Sequence, residues 1–594
     1  MKKVLLVLLS ALMLVSLAGC GSSEKSKHEA GENPLSVCIA SEPDTIDPAL
    51  NSAVDGATLC AHLFQGLAKW DKENGKLVIK ADAAKELTAP VENADGSVTY
   101  TYTLRDGLKW SDGQELKASD FEFAWKRAAS SALGADYGYM FEVVSGYPDD
   151  LAVVANDEAK TISVTLPVDL PYWNELMAFP AYYPVRKDIV ENEAWSTKAS
   201  TFVCNGPYYI DFWGHNSLIC LKKNENFIDK DSVTIDEIDF YLSDDTNAML
   251  ANFQNGSWLM IDDVPTNEIA NLKANNADEF FIEGQIGTYY TCWNINENIL
   301  PEGSTLTGVE AEKAKAEIRQ ALCLILDRNH IVNDITQGGQ VPASSFVAMG
   351  MTDADGSEFY MNAARGYTQN ADFAGYYDVR VEAQETNAAK AIEILKKYYT
   401  FDEASKKFTD FPSMTYLYNT SDAHKAIAEY IQAAFATYGI TLNLENQEWN
   451  TFLNTRKDGA YSIARNGWVA DYNDPVCFID MWTSDSGNND IQFGKGAHAD
   501  LAMYDLDLTD LGFDVKVTNG KWSETFDVLV KLIKAEKDSV TRMALMHKAE
   551  DMLMSTGCIC PLYFYTDLYM LSTKVNGFYS NPLGYKYFMH ATVK

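Results

Sequence analysis

The chain is 594 residues long, more than one hydrophobic core can serve, which predicts two or more domains or lobes. Hydrophobic residues make up 47% of it and aromatic residues 12%, a composition that favours a packed globular protein over a disordered one. The formal net charge of −36 leaves nothing to offset phosphate repulsion, so the composition argues against nucleic acid as a partner.

The N-terminal residues MKKVLLVLLSALMLVSLAGC have the pattern of a secretory signal and not of a membrane-spanning helix. Two lysines precede an apolar run that is short and ends in small residues. The last four residues resemble a bacterial lipobox, which implies a signal peptide at 1–19 and lipidation of the Cys20 thiol. An ordinary signal with a chance cysteine is the alternative. Residues 20–33 are polar and aperiodic, so we expect a lipid-anchored linker there.

The other cysteines leave their redox state open. The chain has ten, and the nine that remain after Cys20 show no CxxC spacing. Cys558 and Cys560 are the nearest pair, with one isoleucine between them. We expect most of the nine to be buried thiols, and one or two disulfides remain an alternative in an exported protein.

Strand and helix patterns are mixed along the chain. Alternating apolar and polar residues predict half-buried strands at 98–105 and 161–166, with an amphipathic helix at 119–130 between them. Apolar residues recur at helical spacing over 311–329, which predicts a further helix. This mixture indicates an α/β protein.

A strand, a helix and a second strand are predicted at 413–419, 421–439 and 440–449. Joined in this order they make a βαβ unit, which is typical of an α/β lobe. Residues 353–378 and 486–514 are rich in Gly, Asp, Asn and Tyr, and we predict that both are long surface loops.

Motifs of common hydrolases are missing from the sequence. It contains no HExxH, no GxSxG and no glycine-rich phosphate loop, and no pair of its many carboxylates stands out as acid and base. A secreted peptidase nevertheless remains an alternative function, because catalytic triads are assembled in space and not along the sequence.

The stretch ARNGWVADYNDP, residues 464–475, raises a question of charge. Asp471 follows three apolar residues, so we expect its carboxylate to be drawn partly out of water. A buried carboxylate without a partner is costly, and this one therefore predicts a bound cation. The alternative is an aspartate that only opens the turn DYNDP.

Six segments together resemble the extracytoplasmic oligopeptide-binding proteins of ABC importers, a family that also includes dipeptide and nickel binders. They are, in chain order, IDPALNSAVDGATLCAHLFQGL, YTYTLRDGLKWSDGQELKASDFEFAWKR, CNGPYYI, YNTSDAHKAIAEYIQ, LNLENQEWNTFLNTRKDGAYSIARNGWVADYNDP and CPLYFYTD. The resemblance implies an α/β, bilobal, periplasmic-binding-protein-like fold with a hinge and an extra small domain on lobe one. Its expected bounds are 34–64, 200–290 and 567–594 for lobe I, 65–199 for the extra domain and 291–566 for lobe II.

The resemblance also implies a peptide-binding cleft. Asp471 is expected to pair with the free α-ammonium of a peptide, and Arg456 and Arg465 lie toward the end where a guanidinium accepts its carboxylate. The other residues that it implies at the cleft are Val54, Tyr137, His424, Trp449, Gly467, Trp468 and Tyr565. Alternatives stay open: core packing for Trp449 and Tyr565, solvation for His424, and an internal bridge from Arg465 to Asp471.

These features together predict a membrane-tethered lipoprotein that captures oligopeptides between its lobes and delivers them to an ABC permease. We expect a monomer with no cofactor and no metal at the cleft. Alternative ligands are nickel, haem or a signalling peptide, although a nickel site needs clustered imidazole or thiolate ligands and only His424 is expected at the cleft. The sequence departs from the family pattern in three ways: Val469 stands in place of a cysteine, Ser52 stands in place of an acidic residue, and a lysine found in some members is missing from 326–339.

Overall fold

The computed structural model describes residues 28–31, 33–362, 373–498 and 503–594. The predicted signal peptide, Cys20 and most of the predicted linker lie outside the described residues, as do 363–372 of the first predicted loop and 499–502 of the second. Within the described ranges, no helix combines the length and apolarity that crossing a membrane requires.

The first part of the chain contributes one interior strand, β1, to the main sheet and also builds a separate small sheet. Its elements are β1 (Leu35–Ala40), α1 (Val54–Leu63), β2 (Ala68–Glu73), β3 (Lys76–Ala81), β4 (Val91–Glu92), β5 (Val98–Thr103), α2 (Ala118–Ala129), β6 (Val153–Asn156), β7 (Thr161–Leu166), α3 (Trp173–Leu176) and α4 (Lys187–Val190). Strands β4-β5-β7-β6 form an antiparallel sheet, and β2 and β3 form a hairpin. Helix α2 packs on this sheet because its apolar residues recur at helical spacing and are buried.

The middle part adds β8 (Tyr208–Gly214), β9 (Leu218–Lys223), β10 (Glu237–Leu242), α5 (Thr246–Gln254), β11 (Met260–Ile261), α6 (Ile269–Asn275) and β12 (Phe280–Trp293). The next part contains α7 (Gly308–Ile325), α8 (Arg328–His330), β13 (Val341–Pro342), α9 (Gln384–Leu395), β14 (Phe401–Asp402), β15 (Lys407–Phe408), β16 (Met414–Asn419), α10 (Asp422–Thr437), β17 (Leu442–Gln447), α11 (Trp449–Lys457) and β18 (Ile463–Val469). The last part contains β19 (Met503–Asp507), β20 (Lys516–Lys521), α12 (Trp522–Ala535), α13 (Ser539–Ser555), β21 (Ile559–Leu571), β22 (Val575–Asn576), β23 (Tyr579–Ser580), β24 (Lys586–Tyr587) and β25 (Thr592–Val593).

One eleven-stranded sheet runs through both halves of the molecule in the order β17-β16-β18-β12-β21-β11-β1-β10-β9-β8, with β13 beside β21. Strands β12 and β21 are 14 and 13 residues long and pair antiparallel along both halves. Their register is interrupted between Gly284 and Thr288. On one side of this interruption β12 pairs with β18, and on the other side β21 pairs with β11. The two halves of the sheet are therefore joined by this pair of long strands.

Most predicted elements are confirmed. The strands at 98–105 and 161–166 are β5 and β7, and the helix between them is α2. Strands β16 and β17 pair parallel on either side of α10, as the βαβ prediction requires. All nine described cysteines are free and buried, so the thiol prediction is correct for the part of the chain that the structure covers.

Three predictions of local structure are wrong. The helix predicted to reach 329 ends at Ile325, because the Asp327 side chain accepts hydrogen bonds from the backbone of Asn329 and His330 and begins a new helical turn. The strand predicted to reach 449 ends at Gln447, because Glu448 caps a helix that begins at Trp449. The predicted surface loop at 486–514 contains strand β19, and its first residues are buried, as Asn489 and Asp490 show.

Candidate functional site

A cavity of about 410 Å³ lies between the two sides of the molecule. Its lining includes the start of α1, the turn after β10, the first turn of α10, helix α11, strand β18 with the turn that follows it, and strand β21. The structure brings all ten residues that the sequence predicted to this one cavity: Val54, Tyr137, His424, Trp449, Arg456, Arg465, Gly467, Trp468, Asp471 and Tyr565.

Strand β18 carries the centre of the site. The backbone of Gly467 pairs with Tyr289 of β12, and a Cβ on Gly467 would lie only 2.1 Å from the hydroxyl of Tyr565. Glycine therefore allows the Tyr565 ring to lie directly over the strand. The indole of Trp468 is fixed by a hydrogen bond of 2.8 Å from its Nε1 to the carbonyl oxygen of Cys477.

Asp471 is buried, with 9% of its surface exposed, and no cation reaches it from the described residues. Its Oδ1 accepts a hydrogen bond of 2.9 Å from the hydroxyl of Tyr137, and its Oδ2 has no hydrogen-bond partner in the described part of the chain. Burial raises the pKa of Asp471 well above its ordinary value, although the Tyr137 hydrogen bond opposes that shift. The nearby charge of Asp480 raises the same pKa further. This carboxylate lacks the cation that its burial calls for.

Asp474 lies three residues further on in the same turn and, unlike Asp471, has a cationic partner. It is 5% exposed, and its two oxygens accept hydrogen bonds of 2.7 and 2.9 Å from the guanidinium of Arg542. Oδ1 also caps the short helical turn that follows, by accepting from the backbone N–H of Val476. The turn therefore places one fully paired carboxylate in the core and one unpaired carboxylate in the cavity.

Arg465 lies at another part of the cavity and carries a positive charge with no acidic partner among the described residues. Its Nη2 lies 3.0 Å from Nε2 of His424, and its guanidinium stands over the rings of Tyr289 and Trp449. Burial and the charge of Arg465 lower the pKa of His424 well below its ordinary value, so the imidazole is neutral and its Nε2 accepts from Arg465. The alternative bridge from Arg465 to Asp471 does not form.

Arg456, in contrast, already has a partner. Its Nε lies 2.8 Å from Oδ2 of Asp490, and both residues are buried. The charge of Arg456 is thus neutralised inside the protein, which leaves Arg465 as the guanidinium with capacity for an anion. Sequence reasoning missed Asp490 because it falls in a stretch without periodicity that was predicted to be a surface loop.

The family model of the bacterial extracellular solute-binding proteins, family 5, matches residues 79–490. The chain belongs to this family. It is 30% identical to the oligopeptide-binding protein OppA of Bacillus subtilis (strain 168), over 99% of each chain. The family is thus one of extracellular solute-binding proteins, and the name of this relative describes a protein that binds oligopeptides.

Solved structures show the same bilobal fold. OppA of Haemophilus influenzae in complex with the peptide RPPGFSPFR superposes with a TM-score of 0.75 at 25% identity, over 95% of this chain and all of that one. The murein tripeptide binding protein MppA of Escherichia coli gives 0.76 at 23% identity, over 95% and 99%. An unliganded open form of MppA gives only 0.57. The backbone of this family 5 chain therefore resembles the open form of MppA less than it resembles the first MppA structure.

Contacts across the cavity agree with this arrangement. The ammonium of Lys457 forms an ion pair with Asp136 and donates a 2.8 Å hydrogen bond to the hydroxyl of Ser52. The rings of Tyr172 and Tyr472 stack with centroids 4.5 Å apart. Ser52 thus helps to join the two sides of the cleft.

A second acidic side chain lines the cavity and was not predicted. Asp55 lies in the first turn of α1, and its carboxylate lies beside the indole of Trp449. Burial raises the pKa of Asp55 to about 6. Its neighbour Val54 is 39% exposed and lines the same wall. An aspartate at a helix start is common, so the sequence held no signal that separated Asp55 from an ordinary helix terminus.

Proposed function

We propose that this family 5 protein captures oligopeptides in the cavity and delivers them to an ABC permease. The observation that carries the proposal is Asp471, whose buried carboxylate has one unpaired oxygen facing a cavity large enough for a ligand. Every linear peptide with an unmodified N-terminus has a free α-ammonium whatever its sequence, and that group supplies the missing cation. The backbone of β18 would pair with the extended ligand as with an added strand.

The other charged end of a peptide also finds a matching group. Arg465 has no carboxylate partner in the described part of the chain, and a guanidinium binds a carboxylate through two parallel hydrogen bonds. A protein that holds both ends and the backbone of its ligand accepts many side chains, since water fills the space around them. His424 is the one imidazole in the cavity lining and no cysteine joins it, so the lining does not favour nickel.

Peptide capture would involve closure of two lobes. We assign 34–64, 200–290 and 567–594 to lobe I, 65–199 to an extra domain and 291–566 to lobe II. The proposed hinge is the interruption between Gly284 and Thr288 in the pairing of β12 with β21. A few backbone dihedrals can change there without breaking the hydrogen bonds between the two strands. The Lys457–Asp136 pair would close the cleft over the ligand.

We also propose that residues 1–19 are removed and that lipid on Cys20 tethers the protein to the outside of the cell membrane as a monomer. Replacing Cys20 by Ser is expected to move the protein from the membrane fraction to the soluble fraction. Peptide affinity is expected to stay the same, because the cavity does not involve the linker. Retention of the Cys20→Ser variant in washed membranes would contradict the anchor.

A thermodynamic cycle tests the role of Asp471. First, a mixture of short peptides is incubated with the protein and recovered by mass spectrometry, which supplies a ligand and also reveals any cleavage. Calorimetry then measures that peptide and its N-acetylated form against the unaltered protein and Asp471→Asn. Breaking a buried pair costs about 3–5 kcal/mol, so either change alone is expected to weaken binding by roughly a hundredfold or more.

The two changes together are expected to cost much less than their sum, because the second removes a charge that the first has already left alone. Asp458→Asn, at an exposed aspartate near the end of α11, is the matched control and should bind both peptides like the unaltered protein. Tight binding of the acetylated peptide, or simple additivity of the two losses, would show that Asp471 only shapes its turn. New peptide termini would indicate a peptidase.

A further inference from the structure

A cluster of ligating side chains lies outside the cavity, on the face of the sheet near the N-terminal segment. Strands β9 and β10 pair antiparallel, and their register places Cys220 opposite Asp239 and Lys222 opposite Glu237. These four side chains share one face because alternate strand residues point the same way. His28, from the start of the described chain, lies over them.

The donor atoms of His28, Cys220, Glu237 and Asp239 all lie within 4.8 Å of one another. Nε2 of His28 is 3.2 Å from Oδ2 of Asp239 and 3.6 Å from Oε1 of Glu237. The edge of a tetrahedron of zinc ligands is about 3.3–3.8 Å, from bonds of roughly 2.0–2.3 Å. Contraction of about 1 Å therefore brings the four donors to bonding distance around one ion.

The cluster contains charge and polar atoms that the protein leaves unsatisfied. Asp239 is 1% exposed, and its Oδ1 has no hydrogen-bond partner among the residues that the structure describes. Nδ1 of His28 is likewise buried without one. Two buried carboxylates stand side by side, and among the described residues the lysine near them is Lys222, whose ammonium lies 3.6 Å from Glu237 and also pairs with Asp211. Buried carboxylates with so little compensation favour a bound cation.

Two further contacts hold the N-terminal segment against this face of the sheet. The ring of His28 packs against Phe212 with centroids 5.8 Å apart. The backbone N–H of Gly31 donates a 3.0 Å hydrogen bond to Oε1 of Glu237. Both sides of the cluster are thus held in position by contacts that would survive without a metal.

We propose that His28, Cys220, Glu237 and Asp239 bind one divalent metal ion of the zinc type. A thiolate, an imidazole and two carboxylates match the donors that zinc accepts, whereas calcium and magnesium prefer oxygen alone. On binding, the thiol of Cys220 releases its proton to solvent and its sulfur bonds to the metal. None of the four residues lines the peptide cavity, so the site is independent of the proposed ligand. The ion would fasten the linker to the body of the protein.

Metal uptake by the full chain, purified in detergent without a histidine tag and stripped with a chelator, tests the proposal. Zn²⁺ titrated against a chromophoric competitor is expected to bind at one equivalent. Co²⁺ is expected to give the near-ultraviolet absorption of a cobalt–thiolate bond together with the visible bands of a tetrahedral ion. Failure of the unaltered protein to bind one equivalent of either ion would overturn the proposal.

Variants locate the bound ion. Cys220→Ser is expected to remove the thiolate absorption, and His28→Ala to lower zinc affinity at least about tenfold. His28 lies outside the sheet, so its loss leaves the fold intact and keeps the test valid if Cys220→Ser folds poorly. Cys204→Ser, at another buried thiol, and His330→Ala, at an exposed imidazole, are matched controls with unchanged binding expected. Unchanged metal affinity in both test variants would overturn the assignment.

Discussion

Asp471 and Asp474 lie in one turn, are both buried, and differ in what faces them. Arg542 holds Asp474 with two hydrogen bonds, while one oxygen of Asp471 has no partner. The paired carboxylate stabilises the fold, because its counter-charge is always present. The unpaired one raises the free energy of the empty protein and lowers it again when a cation arrives. A buried charge without a partner therefore marks the place where a ligand completes the structure.

The largest effect is expected from breaking the pair between Asp474 and Arg542. Asp474→Asn leaves the guanidinium of Arg542 buried without a counter-charge, so the free energy of unfolding is expected to fall by about 3–5 kcal/mol. Urea denaturation of the peptide-free protein measures it. Asp471→Asn is the matched control, and it is expected not to destabilise the peptide-free protein at pH 7.

The sign for the control follows from its pKa. Because the folded protein raises the pKa of Asp471, folding takes up a proton, and the carboxylate destabilises the fold increasingly as pH rises above about 3.9. Asp471→Asn removes that penalty, so its advantage should shrink as pH falls toward 4. Equal losses of stability in the two variants at pH 7 would contradict the comparison.

The next effect concerns the guanidinium that lacks a carboxylate. Arg465→Gln is expected to weaken binding of a peptide with a free C-terminus by about ten- to a hundredfold, since hydrogen bonds to charged groups contribute about 1.5–3 kcal/mol. Amidating the peptide should weaken its binding to the unaltered protein by a similar factor. Calorimetry on the four combinations measures both changes.

The control for that pair is Arg456→Gln. It leaves Asp490 buried without its counter-charge, so we expect a loss of stability in urea. Amidating the peptide should weaken its binding to the Arg456→Gln variant as much as it weakens binding to the unaltered protein. In Arg465→Gln, by contrast, amidation should change the affinity little. If Arg465→Gln binds the free and amidated peptides as differently as the unaltered protein does, Arg465 is not the carboxylate receptor.

The smallest expected effect is a proton released on binding. Below its raised pKa the carboxyl of Asp471 holds a proton in the empty protein, and pairing with an ammonium requires that proton to leave. Affinity is therefore expected to increase by up to about tenfold per pH unit between about pH 4 and the raised pKa. Calorimetry in buffers of different ionisation enthalpy counts the protons. Asp471→Asn should bind without this release, and an identical release from it would assign the proton elsewhere.

Much of this architecture can be predicted from local patterns in the sequence. The βαβ unit at 413–449 follows from periodicity, and the burial of Asp471 follows from the three apolar residues before it. The pairing of Arg456 with Asp490 does not, because the two residues are far apart in sequence and the second lies where no periodic pattern exists. The helix start at Trp449 depends on Glu448, whose side chain accepts hydrogen bonds from the backbone of the first helical turn. The alternating sequence pattern there fits a strand equally well, so it does not predict the helix start.

The position of β21 in the main sheet has a consequence for how the chain matures. Residues 559–571 follow every other strand of the main sheet in the chain, yet they lie between β12 and β11 and join the two halves of the sheet. Until they arrive, the strands that they pair with keep open edges, and such edges invite aggregation. A chain synthesised from its N-terminus therefore completes this sheet only after all of its other strands have been made. Loss of the C-terminal 36 residues would leave two separate sheets in place of one.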